Sequence, residues 1–206
     1  MPRKSLLSCS LCLFLVAFVP EVVRAADVIH YKYKEGSAFA SFHEEGPCSV
    51  TDVFVFASSS ATRISPQSST GLQMAAITVT TFDMCRQVAN MIAVGDIQTS
   101  GFQADPNLQT ATLHAVIPVY DFATDRIFDI QVDLAWKAVG PQTLVADHGI
   151  YDDPPFKVRT QVQGRSRPAQ AVGTVRVGTT DLAPHQSTEG FTQWVQIGEI
   201  TITRGE

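Results

Sequence analysis

Phe128-Asp129-Ile130-Gln131-Val132-Asp133-Leu134-Ala135-Trp136 alternates larger apolar residues with small or polar ones, without a break. A period of two sends one set to a core and the other to water, the pattern of a half-buried β-strand. Leu113, Ala115, Ile117 and Val119 repeat it one strand earlier, and Asp121-Phe122-Ala123-Thr124-Asp125 lies between as a turn. A slip of one residue would turn one apolar set outward, so the faces fix the register. Val119 is expected opposite Phe128, Ile117 opposite Ile130, Ala115 opposite Val132 and Leu113 opposite Leu134. On the wet face His114 falls opposite Asp133. Pro118 lacks an N–H, so its strand must be an edge there or lose a ladder bond.

Outward from this hairpin the chain reads as strands. Val, Ile, Thr and Phe recur, Gly and Pro punctuate, and no long helical period appears. Candidate strands are Val28 to Lys34, Ser37 to His43, Thr51 to Ala57, Met74 to Phe82, Asn90 to Ile97, Gln109 to Val119, Arg126 to Trp136, Lys157 to Gln163, Ala169 to Val177 and Gln193 to Thr203. Val53, Phe54, Val55 and Phe56 are apolar on both faces, which predicts a central strand covered on both sides. Ser58-Ser59-Ser60 through Ser68-Ser69-Thr70 reads as a solvated loop. A helical turn is considered only near Met84 to Ala89. A second hairpin is expected to turn through Arg165-Ser166-Arg167-Pro168. In the last strand the apolar phase shifts at Gly198, where a β-bulge would reconcile Val195 and Ile197 with Ile200 and Ile202. Trp136 and Trp194 are expected in the core. About ten short antiparallel strands, each with one inward face, predict an all-β, two-sheet β-sandwich, with a β-barrel as the alternative.

The N-terminus has the layout of an export signal. Arg3 and Lys4 precede an apolar run from Leu6 to Val19, Pro20 breaks it, and Val23-Arg24-Ala25 offers a cleavage site. Residues 1–25 are therefore read as a signal peptide, and 26–206 as one β-sandwich domain with no membrane span after cleavage, secreted or periplasmic. The chain has 15 basic and 20 acidic residues and a net charge of −5. Such a balance gives no general attraction to nucleic acid or anionic membranes. Beyond the signal only Cys48 and Cys85 remain. An even pair in an exported chain most simply forms one disulfide, worth about 4 kcal/mol by chain entropy. A catalytic thiol is the sharper alternative.

Chemistry-bearing residues are scattered. The five histidines show no His-x-His or His-x-x-x-His spacing, so neither a metal nor a cofactor is expected. Asp147, His148, Tyr151, Asp152 and Asp153 form the densest group of potential ligands, a candidate binding site, although the ordered spacing and Gly of a calcium loop are missing and a polar loop closed by Pro154-Pro155 is the simpler reading. Asp121 and Asp125 raise the same question. His114 with Asp133 looks like the oriented-base half of a triad, and Asp129 with Asp133 like a pair of glycosidase carboxylates. On a strand both are more simply surface groups. Arg159, Arg165, Arg167 and Arg176 suggest either a patch for an anionic ligand or a charged edge that blocks unwanted strand pairing. Tyr31, Tyr33, Tyr120 and Tyr151 suggest a sugar-stacking platform.

Five stretches carry a family likeness: Gly46-Pro47-Cys48-Ser49-Val50-Thr51-Asp52-Val53-Phe54-Val55-Phe56-Ala57, Phe82-Asp83-Met84-Cys85, Ala111-Thr112-Leu113-His114-Ala115, Val132-Asp133-Leu134-Ala135-Trp136 and Arg167-Pro168-Ala169-Gln170-Ala171-Val172-Gly173-Thr174-Val175. Together they resemble a group of uncharacterised secreted all-β bacterial proteins. The resemblance implies export, a β-rich domain and a Cys48–Cys85 pairing, and it brings no activity. The expected role is a non-catalytic one in binding, adhesion or envelope structure, with a carbohydrate or cell-surface component as partner and no nucleic acid. A secreted hydrolase with a non-local active site is the alternative.

Overall fold

The computed structural model describes residues 28–65, 69–153, 156–182 and 187–202. The expected signal segment, Pro154-Pro155 and the side chain of Trp194 lie outside the described residues. All described secondary structure is β: β1 Val28–Glu45, β2 Ser49–Ser65, β3 Ser69–Asp83, β4 Val88–Gln98, β5 Phe102–Ala104, β6 Thr110–Asp121, β7 Arg126–Ala138, β8 Thr143–Asp153, β9 Phe156–Val177, β10 Thr180–Asp181 and β11 Ser187–Ile202. The pairs are antiparallel. Where the sequence suggested two sheets, every described strand belongs to one sheet of 11 strands. Its pairings run β9–β11–β1–β2–β3–β4–β6–β7 and return from β7 to β9.

The β6–β7 hairpin has the register its faces demand: Val119 pairs Phe128, Ile117 pairs Ile130, Ala115 pairs Val132, Leu113 pairs Leu134, and His114 pairs Asp133. In β7, Ile130, Val132, Leu134 and Trp136 are buried while Asp129, Gln131, Asp133 and Ala135 are exposed. The core within the closed circuit joins them to Phe42, Val53, Val55, Ile77, Val79, Phe102, Leu113 and Phe191.

Two side chains complete the backbone where the circuit is thin. The β1–β11 ladder ends at Ala38 and Phe191. The next carbonyl, that of Phe39, accepts the indole N–H of Trp136 from β7 at 2.8 Å. The other thin place is β4 against β6, which pair only at Ala93–Asp121 and Val94–Tyr120. There the buried Asp121 carboxylate accepts the Ile92 N–H at 2.9 Å, the Ala123 N–H at 3.0 Å and the Thr124 hydroxyl at 2.6 Å. Just past the end of this ladder a Cβ on Gly95 would lie 2.2 Å from the Pro118 carbonyl oxygen, so only glycine permits the approach. In a strand a residue's N and O point to the same side. The missing N–H of Pro118 therefore faces the place where the β4 ladder has already stopped.

Several expectations are corrected. β1 is one strand, not two: its buried residues change parity from Tyr31 to Ala38, Ala40 and Phe42, and the change looks like a break. The serine stretch is strand on both sides of residues 66–68, with Ser58 buried at the parity change. β2 is central in its pairing yet covered on one face only, because Phe54 is 44% exposed and stacks on Phe39 outside. Residues 84–87 form a turn, held by the Asp83 carboxylate accepting the Cys85 and Arg86 N–H groups. Arg165-Ser166-Arg167-Pro168 does not turn and instead lies inside the 22-residue β9. Pro168 fits because it falls between the end of β8, at Thr143–Ser166, and the end of β7, at Ala138–Ala169. Its carbonyl accepts the Val139 N–H at 2.9 Å, so the missing donor faces that same gap. β11 keeps its register through Gly198 against both β1 and β9, so there is no bulge. A register shift does occur between β3 and β4, where Asn90 of β4 is left unpaired opposite the Thr81–Phe82 step of β3. β5, β8 and the two-residue β10 are strands that the sequence reading does not contain.

Trp136→Ala is expected to lower the unfolding free energy by about 3–5 kcal/mol. Trp136→Phe keeps most of the packing but orphans the Phe39 carbonyl, and is expected to cost about 1–3 kcal/mol. Urea denaturation separates the two. For Asp121, burial pushes the carboxyl up, but hydrogen bonds from Thr124, Ile92 and Ala123 outweigh it and hold the group below its ordinary range. A depressed folded-state pKa stabilises above the unfolded value of about 3.9, and that contribution is lost as pH falls through the folded value. Asp121→Asn should therefore cost about 2 kcal/mol at neutral pH. It should also flatten the acid side of the stability–pH profile measured by denaturant titration.

Candidate functional site

Beyond the closed circuit, the first part of β1, the end of β2, the start of β3, β8, the first half of β9 and the end of β11 continue as an extension of the sheet. Side chains directly opposite in an antiparallel ladder share a face. On β9, Lys157, Arg159, Arg165 and Arg167 therefore share one face with Leu144, His148, Ile150 and Asp152 of β8. Through β11 that face continues to His30, Lys32 and Lys34 on β1, and from Lys32 to Arg63 on β2. Lys32, Lys34, Arg63, Arg159 and Arg165 are exposed, and Lys157 and Arg167 half-buried. Two acidic residues interrupt it: Asp152, 2.6 Å from the Lys157 ammonium, and Glu199, at the register position between Arg159 and His30. Arg167 also donates to the Gly140 carbonyl at 2.7 Å. The opposite face of the extension holds no Lys or Arg among the described residues, but does hold Asp147, Asp153 and Glu35. A chain of net charge −5 thus places seven of its eleven described Lys and Arg residues on one side of one part of its sheet.

Lys32 and Arg63 stand directly opposite each other. Like charges in that position destabilise a ladder. The fold carries this cost on an open surface where a neutral pair would serve the sheet better.

The five residues singled out as a binding cluster are not brought together. They lie on β8, whose every residue is exposed, and its pleat sends Asp147, Tyr151 and Asp153 to one face and His148 and Asp152 to the other. The Tyr151 hydroxyl donates to Asp153 at 2.9 Å. Among the described residues no group of three potential ligands could hold a metal ion. Asp121 caps a turn, and Asp125 accepts from the Tyr120 hydroxyl. The tyrosines do not make a platform: Tyr31 is buried, Tyr33 and Tyr151 lie on the extension's other face in different rows, and Tyr120 stands edge-on to Phe122 outside the circuit. The arginines divide, since Arg176 pairs with Gln131 of β7 on the outer face of the circuit. β9 has neighbours on both sides, so its arginines do not guard an edge.

Among the described residues, no reactive centre is assembled from the histidines. His114 Nδ1 lies 3.0 Å from Asp133 Oδ1, with both side chains more than 60% exposed. The shallow depression around them is lined by Val116, Gln131, Thr174 and Arg176. The row runs His114–Asp133–Thr174, with the carboxylate in the middle. A triad needs the imidazole between the hydroxyl and the acid. Asp129 and Asp133 share this open face, but Asp129 does not line the depression. The sequence reading missed His43, whose Nδ1 meets Asp52 at 2.6 Å and Nε2 meets Glu45 at 3.1 Å. Hydrogen bonds to Asp52 and then Glu45 raise its pKa. With both ring nitrogens engaged, neither is free for substrate. Cys48 and Cys85 are joined, Cα to Cα 5.2 Å, tying the β1–β2 turn to the β3–β4 turn. The pairing has no thiol left for catalysis.

Fold and site thus define an all-β domain with one cationic sheet face. No protein-family model matches the chain, and no curated protein does. Among solved structures it matches a protein assigned as AttH from Nitrosomonas europaea, with 13% identity and a TM-score of 0.28 over 86% of this chain. The match covers 52% of that protein, so this chain spans about half its length. So slight a likeness carries no argument.

Arg63→Glu replaces a repulsive cross-strand pair by an attractive one. It should raise stability by up to about 1 kcal/mol at low salt, with the gain shrinking as salt screens it. Urea midpoints at two ionic strengths check this.

Proposed function

We propose that this chain is an exported, non-catalytic binding domain that engages an anionic cell-surface component through the cationic face of its sheet extension. The observation that carries the reading is the Lys32–Arg63 pair, with Arg159 and Arg165 on the same face. A merely solvated surface gains nothing from placing like charges opposite one another, whereas an anionic partner relieves their repulsion on binding. The signal-like residues 1–25 and the resemblance to secreted all-β bacterial proteins support export. The Cys48–Cys85 disulfide is compatible with an extracytoplasmic location. A hydrolase built on His114 and Asp133 is disfavoured by the order of their row.

Retention on an immobilised sulfated polysaccharide tests the reading. Despite its acidic composition, the protein should be held at low salt and released as salt rises. The double variant Arg63→Glu with Arg159→Glu should flow through, while Arg176→Glu, which is off this face, should be retained. Flow-through of the unaltered protein at low salt would refute the proposal.

A further inference from the structure

The geometry points to an anionic lipid surface as the partner of the cationic face, an inference that rests on the binding reading above and makes it specific. Two features of the same face select this partner. First, Leu144 and Ile150 on β8 are 76% and 68% exposed, directly opposite Arg165 and Arg159 in the ladder. β8 has β9 on one side only, so these aliphatic side chains stand at the rim of the sheet. Cations backed by exposed aliphatic groups suit the boundary between headgroups and acyl chains. The phosphates there attract Lys and Arg, and the aliphatic groups leave water among the first methylenes.

Second, none of the described exposed residues of this face is Phe, Tyr or Trp, and its rings are the imidazoles of His30 and His148. Tyr31, Tyr33 and Tyr151 are on the other side. The large phenyl, phenol and indole platforms on which sugars or unpaired bases stack best are therefore missing, among the described residues, where the charge is. A polysaccharide or nucleic acid would neutralise the cations but leave Leu144 and Ile150 in water. A bilayer satisfies both sets at once.

The cations are also spread in two dimensions. Arg159 and Arg165 on β9 are separated from Lys32 and Lys34 on β1 by the whole of β11, and Arg63 lies one strand further on. Adjacent strands are about 4.8 Å apart, so the set covers an area rather than a line. An area suits a planar array of headgroups better than a single extended polymer.

The test is sedimentation of the purified protein with vesicles of phosphatidylcholine alone and of phosphatidylcholine mixed with phosphatidylglycerol. Binding is expected to the mixed vesicles at low salt, to fall as salt rises, and to be absent with phosphatidylcholine alone. Each neutralised cation should weaken it about fivefold, so that Lys32→Gln, Arg63→Gln and Arg159→Gln together remove about two orders of magnitude. Arg63→Glu, which changes the charge by two, should weaken binding about 25-fold while folding at least as stably as the unaltered protein, which separates lost affinity from lost structure. Leu144→Ser with Ile150→Ser should weaken vesicle binding by at least about tenfold and leave retention on the sulfated polysaccharide unchanged. Equal binding to both vesicle types, or no effect of the Leu144 and Ile150 changes, would overturn the lipid assignment. Polysaccharide retention without vesicle binding would also overturn it but leave the binding reading standing. Failure of both would sink the two together.

Discussion

Most of this fold depends on keeping its backbone ladder satisfied as the sheet returns on itself. A closed run of strands has no free edge only if every junction is made, and two junctions here are too short for main chain alone. At β4–β6 the Asp121 carboxylate takes over from the ladder, accepting the Ile92 N–H that a further strand residue would otherwise have met. At the place where β11 leaves β1, the Trp136 indole crosses the core to the Phe39 carbonyl. Each is a buried polar atom whose partner would be orphaned without it, so each carries more than an ordinary hydrogen bond. Both belong to the β6–β7 hairpin, as does the clearest alternation in the sequence. The hairpin thus supplies both an ordered part of the core and the polar contacts that hold the circuit together.

The long strands have a second consequence. β1 and β9 continue past the circuit, and the buried parity of β1 changes as they do so. Within the circuit Ala38, Ala40 and Phe42 face the core. Beyond it the residues of the same parity, Lys32 and Lys34, face away from Tyr31. β9 behaves alike: Ala169 and Ala171 are buried, and Arg165 and Arg159, of the same parity, are exposed. The cationic face is thus the continuation of the core-facing side after the core has ended. Antiparallel register does the rest, bringing side chains from distant parts of the chain into common rows.

This explains what could be read from sequence and what could not. The β6–β7 register was legible because one face is apolar and one is polar, so any slip would be penalised along the whole strand. The all-β class followed from the same signal. β8 was illegible because an edge strand wet on both faces has no period of two. β5 is too short to show one. The single course of β9 was hidden because Pro168 normally marks a turn, and only the gap between β7 and β8 makes it tolerable inside a strand. The site was harder still. Asp147, His148, Tyr151, Asp152 and Asp153 are neighbours in sequence, but a pleat separates neighbours. Arg159 and Arg165 were visible as a local group. Nothing local joins them to Lys32 or Arg63, and only the pairing of β9 through β11 and β1 to β2 does.

Net charge misleads for a related reason. It sums over faces, and electrostatic attraction acts at a face. With a Debye length of about 8 Å at physiological salt, a partner approaching the extension is screened from acids elsewhere on the molecule and meets mainly the cations in front of it. The acidic total therefore leaves open whether this one face attracts anions. It bears instead on orientation, since the acids on other surfaces are repelled by the same partner that draws the cationic face in. A domain so divided would meet an anionic surface in a preferred pose, with β8 and its exposed Leu144 and Ile150 turned toward that surface.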